Sequence, residues 1–313
     1  MNAIIGTDPE EAARRLRLGQ LVALPTETVY GLGANALDAA AVSRIFAAKN
    51  RPSFDPLILH QSSPDRILSY ARHVPEAARR LAEACWPGPL TLVLDRIPAV
   101  PDLVTSGLDT VALRVPAHPL IREVLEAVDF PVAAPSANPF GFVSPVNATH
   151  VGEQLGDRID YILDGGPCRV GVESTIVAFP EDRPTVLRKG GTTLERLQEI
   201  LREPVAVQTH GSSRPAAPGM LTHHYSPGIK LHLVEQVERA GSSDHAVVRF
   251  GEPARNAHEF SLSDTGDLEE AAQRLFTILR FLAGGGYREA TVPRVPDRGL
   301  GQAINDRLRR ASQ

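Results

Sequence analysis

The chain has 313 residues, of which 42% are hydrophobic and 22% charged, and a formal net charge of −4. That length supports a large core and two domains, and the charge balance argues against a protein whose whole surface coats nucleic acid or an anionic membrane. Cys85 and Cys168 stand alone, with no metal-ligand spacing, which fits a reducing compartment without structural zinc.

No apolar run approaches the roughly 18 residues of a membrane span, and no apolar leader precedes the charged residues between Asp8 and Arg15. A cytoplasmic protein is expected. The basic residues are almost all arginine, with lysine only at Lys49, Lys189 and Lys230. In such a chain a lysine marks either codon bias or a site that suits a compact ammonium better than a planar fork.

Asp8 to Leu18 reads as an amphipathic helix, capped by Asp8, started by Pro9 and stopped by Gly19. The apolar run Leu21–Leu24 is a short buried strand, which Pro25 ends. The cluster Thr26-Glu27-Thr28-Val29-Tyr30 then leads into Gly31 and Gly33. Polar residues at the end of a buried strand occupy the place where open α/β sheets bind ligands.

Asp38 caps a helix through Ala48 that carries Lys49 in its last turn, where a cation also suits the helix dipole. Leu57–His60 is a buried strand with a polar end. His60 reads equally as a satisfied edge histidine. Helices are expected near 65–71 and 75–84. The rigid Trp86-Pro87-Gly88-Pro89 turn enters a strand at Leu92–Leu94. In Thr110–Arg114 the strand period puts Thr110, Ala112 and Arg114 on one face.

Pro131–Asn138 is a further apolar run ending in small polar residues, followed by Gly141, Ser144 and Pro145. Asn147 caps a helix to about Leu155. Strands are expected around Tyr161–Asp164, Ser174–Val177 and Thr185–Arg188, and Thr193 caps a helix from Leu194 to Leu201. From Gln208 to Gly228 the chain turns rich in Gly, Ser, Pro and His, the composition of a linker. Strands at 230–234, 246–250 and 290–295, with helices at 268–283 and 300–311, make a small βαβ-like domain.

Gathered by one sheet, the strand-end residues would form a cavity with several cations among hydroxyls. Such an arrangement costs stability unless anions fill it. Arginine gives carboxylates and phosphates bidentate, charge-assisted bonds. No Walker A loop, well-placed dinucleotide fingerprint, nucleophile elbow or zinc helix is present. The pattern therefore fits positioning and charge neutralisation, as phosphoryl and nucleotidyl transfer require. An RNA-binding module using the same basic surface is the alternative, although aromatics make up only 5% of the chain and form no basic-aromatic array. A carbamoyl-transfer domain is a second alternative.

Several motifs in order resemble the L-threonylcarbamoyladenylate synthases. They are Pro25–Gly33, Lys49-x-Arg51 with Pro56–His60, Pro87–Thr91, Arg114-Val115-Pro116, Ser136-x-Asn138, Ser174-Thr175 and Arg188-x-Gly190. His224-Tyr225-Ser226-Pro227 and Gly299–Leu308 resemble the longer, two-domain branch of that family. The resemblance covers nearly the whole chain. It implies a twisted α/β sheet with a concave basic cavity, of the YrdC-like type, plus a small Rossmann-like α/β domain. The boundaries are 1–205 for the catalytic domain, 206–228 for a linker and lid, and 229–313 for the C-terminal domain.

The implied reaction joins L-threonine, bicarbonate and ATP into threonylcarbamoyl-AMP and pyrophosphate, for N6-threonylcarbamoyladenosine formation in tRNA. The resemblance places threonine on Thr28, His60, Arg114, Ser174 and the backbone of Ala134, with Arg114 on the carboxylate. It places ATP along Lys49, Arg51, Asp55, Thr110, Ser136, Asn138, Ser144 and Arg188, with Tyr225 as part of a lid. Lys49 and Arg51 carry the catalytic charge. Mg²⁺ bridges the ATP phosphates without an assigned protein ligand. Downstream tRNA threonylcarbamoyl transferase proteins are the expected partners, with neither membrane attachment nor tight nucleic-acid binding. Asp55 departs from the family, which often has Asn there, and a carboxylate beside phosphates calls for Mg²⁺ or a proton.

Overall fold

A computed structural model describes residues 3–208 and 225–313. Residues 209–224, the body of the expected linker with His223 and His224, lie outside the described residues. Strands β1 (Ile4–Gly6), β2 (Val22–Leu24), β3 (Gly31–Asn35), β4 (Ile58–His60), β5 (Leu90–Asp95), β6 (Thr110–Arg114), β7 (Val132–Ala133), β8 (Tyr161–Leu163), β9 (Thr175–Ala178), β10 (Thr185–Arg188) and β11 (Ala206–Val207) form one mixed sheet. Its order is β1-β8-β2-β3-β7-β4-β6-β5-β9-β10-β11. A second sheet of four parallel strands follows the order β12-β15-β13-β14, from β12 (Lys230–Val234), β13 (His245–Arg249), β14 (Glu259–Ser261) and β15 (Glu289–Pro293).

Helices α1 (Pro9–Arg17), α2 (Ala39–Lys49), α3 (Pro64–Leu68), α4 (Glu76–Cys85), α5 (Asp102–Thr105), α6 (Pro119–Ala127), α7 (Ala148–Leu155) and α8 (Leu194–Leu201) alternate with the strands of the large sheet, α6 packing on α1 and α8 on α4, and α9 (Leu268–Gly284) and α10 (Gly301–Ala311), which pack together, accompany the small one. The expected caps are in place. Asp8 accepts from Glu10 N at 2.9 Å, Asp38 from Ala40 N at 2.9 Å, Asn147 from His150 N at 2.8 Å and Thr193 from Arg196 N at 3.2 Å. Each satisfies an orphan amide of a helix start.

Strands β1 and β14 and helices α5 and α6 have no counterpart in the reading above, and two further elements differ from it. Gly31–Asn35, taken as loop, is a buried strand, paired with Leu24–Val22 on one side and Val132–Ala133 on the other. Its glycines weaken strand propensity, but a Cβ on Gly33 would meet Leu24 Cδ1 at 2.8 Å, so the sheet needs the missing side chain. Helix α6 carries no N-cap side chain, and its Ile121, Val124 and Leu125 bury against the core. Strand β11 falls in the stretch assigned to the linker, held by parallel pairing to β10.

Register places the site. His60 pairs with Arg114 across β4 and β6, and Ile58 pairs with Ala112. Two residues separate these pairs, so His60, Arg114, Ile58 and Ala112 face the same side of the sheet. Ile58, Val93, Ala112, Ile176 and Leu187 form a small apolar cluster of their own on that side.

Candidate active site

The Thr26–Tyr30 loop is shaped by its own hydroxyls. Thr26 Oγ1 donates to Val29 O at 2.6 Å and accepts from the amides of Thr28 and Val29 at 3.1 and 3.2 Å. Such side-chain turns replace the ladder bonds that Pro25 interrupts. Tyr30 N donates to Pro145 O, and Leu32 N to Pro135 O, which ties the loop to the 134–145 segment.

Arg114 enters from the end of β6. Its Nη2 donates to Glu27 Oε1 at 2.7 Å and to Thr28 Oγ1 at 3.0 Å, and its Nε to Gly88 O at 3.3 Å. Nη1 makes no hydrogen bond among the described residues, so one edge of the fork remains for a ligand anion. Beside it, burial and then the Arg114 charge push the His60 imidazole down to about 3, so it is neutral at pH 7. Its Nδ1 is buried without a partner among the described residues. A neutral ring next to a guanidinium can accept a proton-bearing group of a ligand.

A second set of cations follows. Helix α2 ends on Asn50 in the left-handed conformation (φ 50°), which turns Lys49 and Arg51 inward. Lys49 Nζ donates to the carbonyls of Ser136 and Asn138. Burial, then the Arg51 charge, holds its ammonium well below the ordinary lysine range. Arg51 Nη2 bridges Asp55 Oδ2 at 2.9 Å and donates to Pro56 O at 2.8 Å. Burial raises the Asp55 carboxyl, against the pull of Arg51, Lys49 and Arg188. Its position is therefore explained by the arginine it pairs with.

Arg188, at the end of β10, donates from Nε to Ser174 O and from Nη2 to Ser174 Oγ, each at 3.1 Å. Ser174 Oγ also bonds Thr91 Oγ1 at 2.8 Å. Glu173 sits between Ser144, whose Oγ donates at 2.7 Å, and Arg307 Nε at 3.0 Å. Burial works to raise the Glu173 carboxyl, but Arg307 and Arg188 with Ser144 hold it at about 2.

One cleft collects most of these groups. Of the expected residues, Thr28, Arg51, His60, Arg114, Ala134, Ser136, Ser174, Arg188 and Tyr225 line it. Lys49, Asp55, Asn138 and Ser144 stand behind the lining. Asn138 Nδ2 donates to Pro139 O and Phe142 O and so shapes the loop. Thr110 is not brought in. It begins the strand that Arg114 ends, about 13 Å away, and lines a separate surface pocket with Asp95, Ala178 and Leu187. Thr26, Val29, Gly31, Ile58, Pro135 and Glu173 complete the wall; Thr26, Val29 and Gly31 fall in the stretch singled out above, whereas Ile58, Pro135 and Glu173 were missed as site residues. A buried glutamate one residue before the Ser174-Thr175 pair was the available signal for Glu173. Among the described residues no group of three His, Cys, Asp or Glu side chains could hold a metal ion.

A cationic, hydroxyl-lined cleft in a large α/β domain, joined to a small Rossmann-like domain, is the architecture of a two-domain α/β enzyme. The chain's two family matches are described as "Telomere recombination" over residues 14–190 and "Threonylcarbamoyl-AMP synthase, C-terminal domain" over 192–313. The threonylcarbamoyl-AMP synthase of Pyrococcus abyssi is 43% identical over 96% of this chain and 93% of its own length, and that of Bacillus subtilis 37% identical over 97% and 93%. The crystal structure of P. abyssi Sua5 complexed with L-threonine superposes with a TM-score of 0.91 at 38% identity, covering 100% of this chain and 98% of that one. The chain belongs to the threonylcarbamoyl-AMP synthase family and is an enzyme of that kind.

Proposed function

We propose that this cleft adenylates a carbamate of L-threonine, consuming L-threonine, bicarbonate and ATP and releasing pyrophosphate. The observation that carries this reading is the meeting of two sets of groups on one cleft wall. Arg114 reaches Thr28 at 3.0 Å with the neutral His60 ring beside it, groups suited to an amino acid's carboxylate, hydroxyl and amine. Arg51 and Arg188 both act on the Asp55 carboxyl and suit a polyphosphate.

Bicarbonate loses hydroxide to give carbon dioxide; the neutral amine attacks its carbon as one C=O π pair moves to oxygen, and the amine proton leaves with that hydroxide as water. The carbamate oxygen then attacks the α-phosphorus, and the bond to the pyrophosphate oxygen breaks. Arg114 orients the carboxylate, and Thr28 is held toward it by Arg114 and Thr26. Arg51 and Arg188 neutralise the charge that develops on the phosphates. Mg²⁺ enters on ATP as part of the substrate, bridging its phosphates. The buried Tyr225 ring on the cleft wall helps exclude water from a labile intermediate. The product supplies N6-threonylcarbamoyladenosine formation in tRNA, through threonylcarbamoyl transferase proteins, in the cytoplasm.

Pyrophosphate release from MgATP by the purified chain, with bicarbonate and each of the twenty amino acids in turn, tests the reading. Release that requires both bicarbonate and L-threonine supports it. Steeply salt-dependent RNA binding without threonine-dependent turnover would replace it.

A further inference from the structure

Tyr225 is the first described residue after position 224, and its backbone is left-handed at φ 68°. For a bulky residue that conformation is strained and persists only where the surroundings impose it. The C-terminal domain imposes it here. The Tyr225 ring stacks on Phe276 of α9 at 5.5 Å, and the Arg307 guanidinium of α10 lies 5.6 Å from its centroid. The following Ser226 N donates to Gly141 O at 3.2 Å, so the segment docks on the loop that carries Ser136 and Ser144.

Arg307 is fully buried, yet it reaches across the domain boundary. Its Nε binds Glu173 Oε2 at 3.0 Å and its Nη1 donates to Lys189 O at 2.6 Å. Glu173 and Lys189 are chain neighbours of Ser174 and Arg188, two groups of the cleft wall. Arg280 of α9 makes a parallel contact, from Nη2 to Val143 O at 2.7 Å, beside Ser144. The contacts thus reach the cleft wall through the residues next to its functional groups.

We propose that Arg307 is a positioning residue for the phosphate half of the cleft: from the C-terminal domain it sets the Glu173 carboxylate, the 188–190 turn and the Tyr225 ring together. This assignment rests on the reading of the cleft given above. It makes the second domain part of the nucleotide site, while the amino-acid end built from Arg114, His60 and Thr28 is complete within the first domain.

The test compares the full-length wild type with R307M and R307K. R307M keeps an unbranched stem under Tyr225 and removes the charge and donors. It is expected to raise the ATP KM about tenfold or more, the scale of a lost charged hydrogen bond. Threonine Kd, measured by calorimetry without ATP, is expected to stay within about twofold. R307K keeps the charge near Glu173 but not the planar fork, and is expected to recover part of the loss.

A folded R307M with wild-type ATP KM and kcat overturns the proposal, as does a loss shared equally by ATP and threonine. If R307M does not melt cooperatively, Glu173→Gln takes its place, and a wild-type ATP KM there overturns the proposal as well. A wild type without threonine-dependent pyrophosphate release overturns the reading of the cleft itself, an outcome the variant data cannot mimic.

Discussion

Glu27 and Arg114, 87 residues apart in the chain, form a buried pair with Oε1 2.7 Å from Nη2. The second Glu27 oxygen accepts from Ala117 N at 3.0 Å, so the carboxylate is fixed at both ends. This pair decides which edge of the Arg114 fork faces the cleft. Glu27→Ala leaves a buried guanidinium unpaired and is expected to cost about 3–5 kcal/mol of stability. It should also weaken threonine binding by more than about tenfold. Urea unfolding and calorimetry read the two effects, and threonine affinity that survives in folded Glu27→Ala would remove the orienting role.

Lys49 acts through two carbonyls. Because its ammonium holds Ser136 O and Asn138 O together, Lys49→Met should release that loop and lower kcat/KM for ATP about 100-fold, the scale of a misplaced reacting group. Near-wild-type turnover in steady-state assays would leave Lys49 without a part in the reaction.

Tyr225→Ala removes a ring packed between Phe276 and Arg307. The expected result is a roughly tenfold higher ATP KM, about 1.4 kcal/mol, with threonine binding little changed. Equal effects on both substrates would argue against a lid over the nucleotide alone.

Gly190 has no room for a side chain. A Cβ there would lie 2.2 Å from Glu173 O and 2.6 Å from Ser174 O. Gly190→Ala must push apart the two segments that carry Ser174 and Arg188. A stability loss of about 1–3 kcal/mol is expected, with activity falling further than stability. A thermal melt and a rate measured on the same preparation decide it.

Stability should fall on the acid side of neutrality. Burial, then Arg114, holds His60 at about 3, and burial, then Arg280, holds His150 at about 4, both below the 6.5 of a free imidazole. The unfolded chain therefore binds more protons between about pH 6.5 and 3, so stability rises with pH across that window. The contribution is complete above about pH 6.5 and is lost as pH falls toward 3. Urea midpoints taken at about pH 7 and pH 5 should differ, and His60→Gln should flatten the slope. A flat wild-type profile would contradict the buried neutral ring.

The amino-acid sequence by itself determined the elements whose signals are local. Asp8, Asp38, Asn147 and Thr193 announced helices because a cap bonds amides two or three residues away. Buried strands such as Val22–Leu24 and Ile58–His60 were legible as apolar runs with polar ends. Thr28, His60, Arg114, Ser174 and Arg188 could be nominated because each ends such a run. Tertiary structure decided everything that depends on partners far along the chain. It turned a glycine-rich stretch into strand β3, because two neighbouring strands supply the pairing that its own propensity lacks. It paired Arg114 with Glu27, and it left Thr110 at the wrong end of its strand. Arg307 meets Glu173 across 134 residues, a contact for which no local pattern exists, since only the packing of two separate sheets brings those charges out of water together.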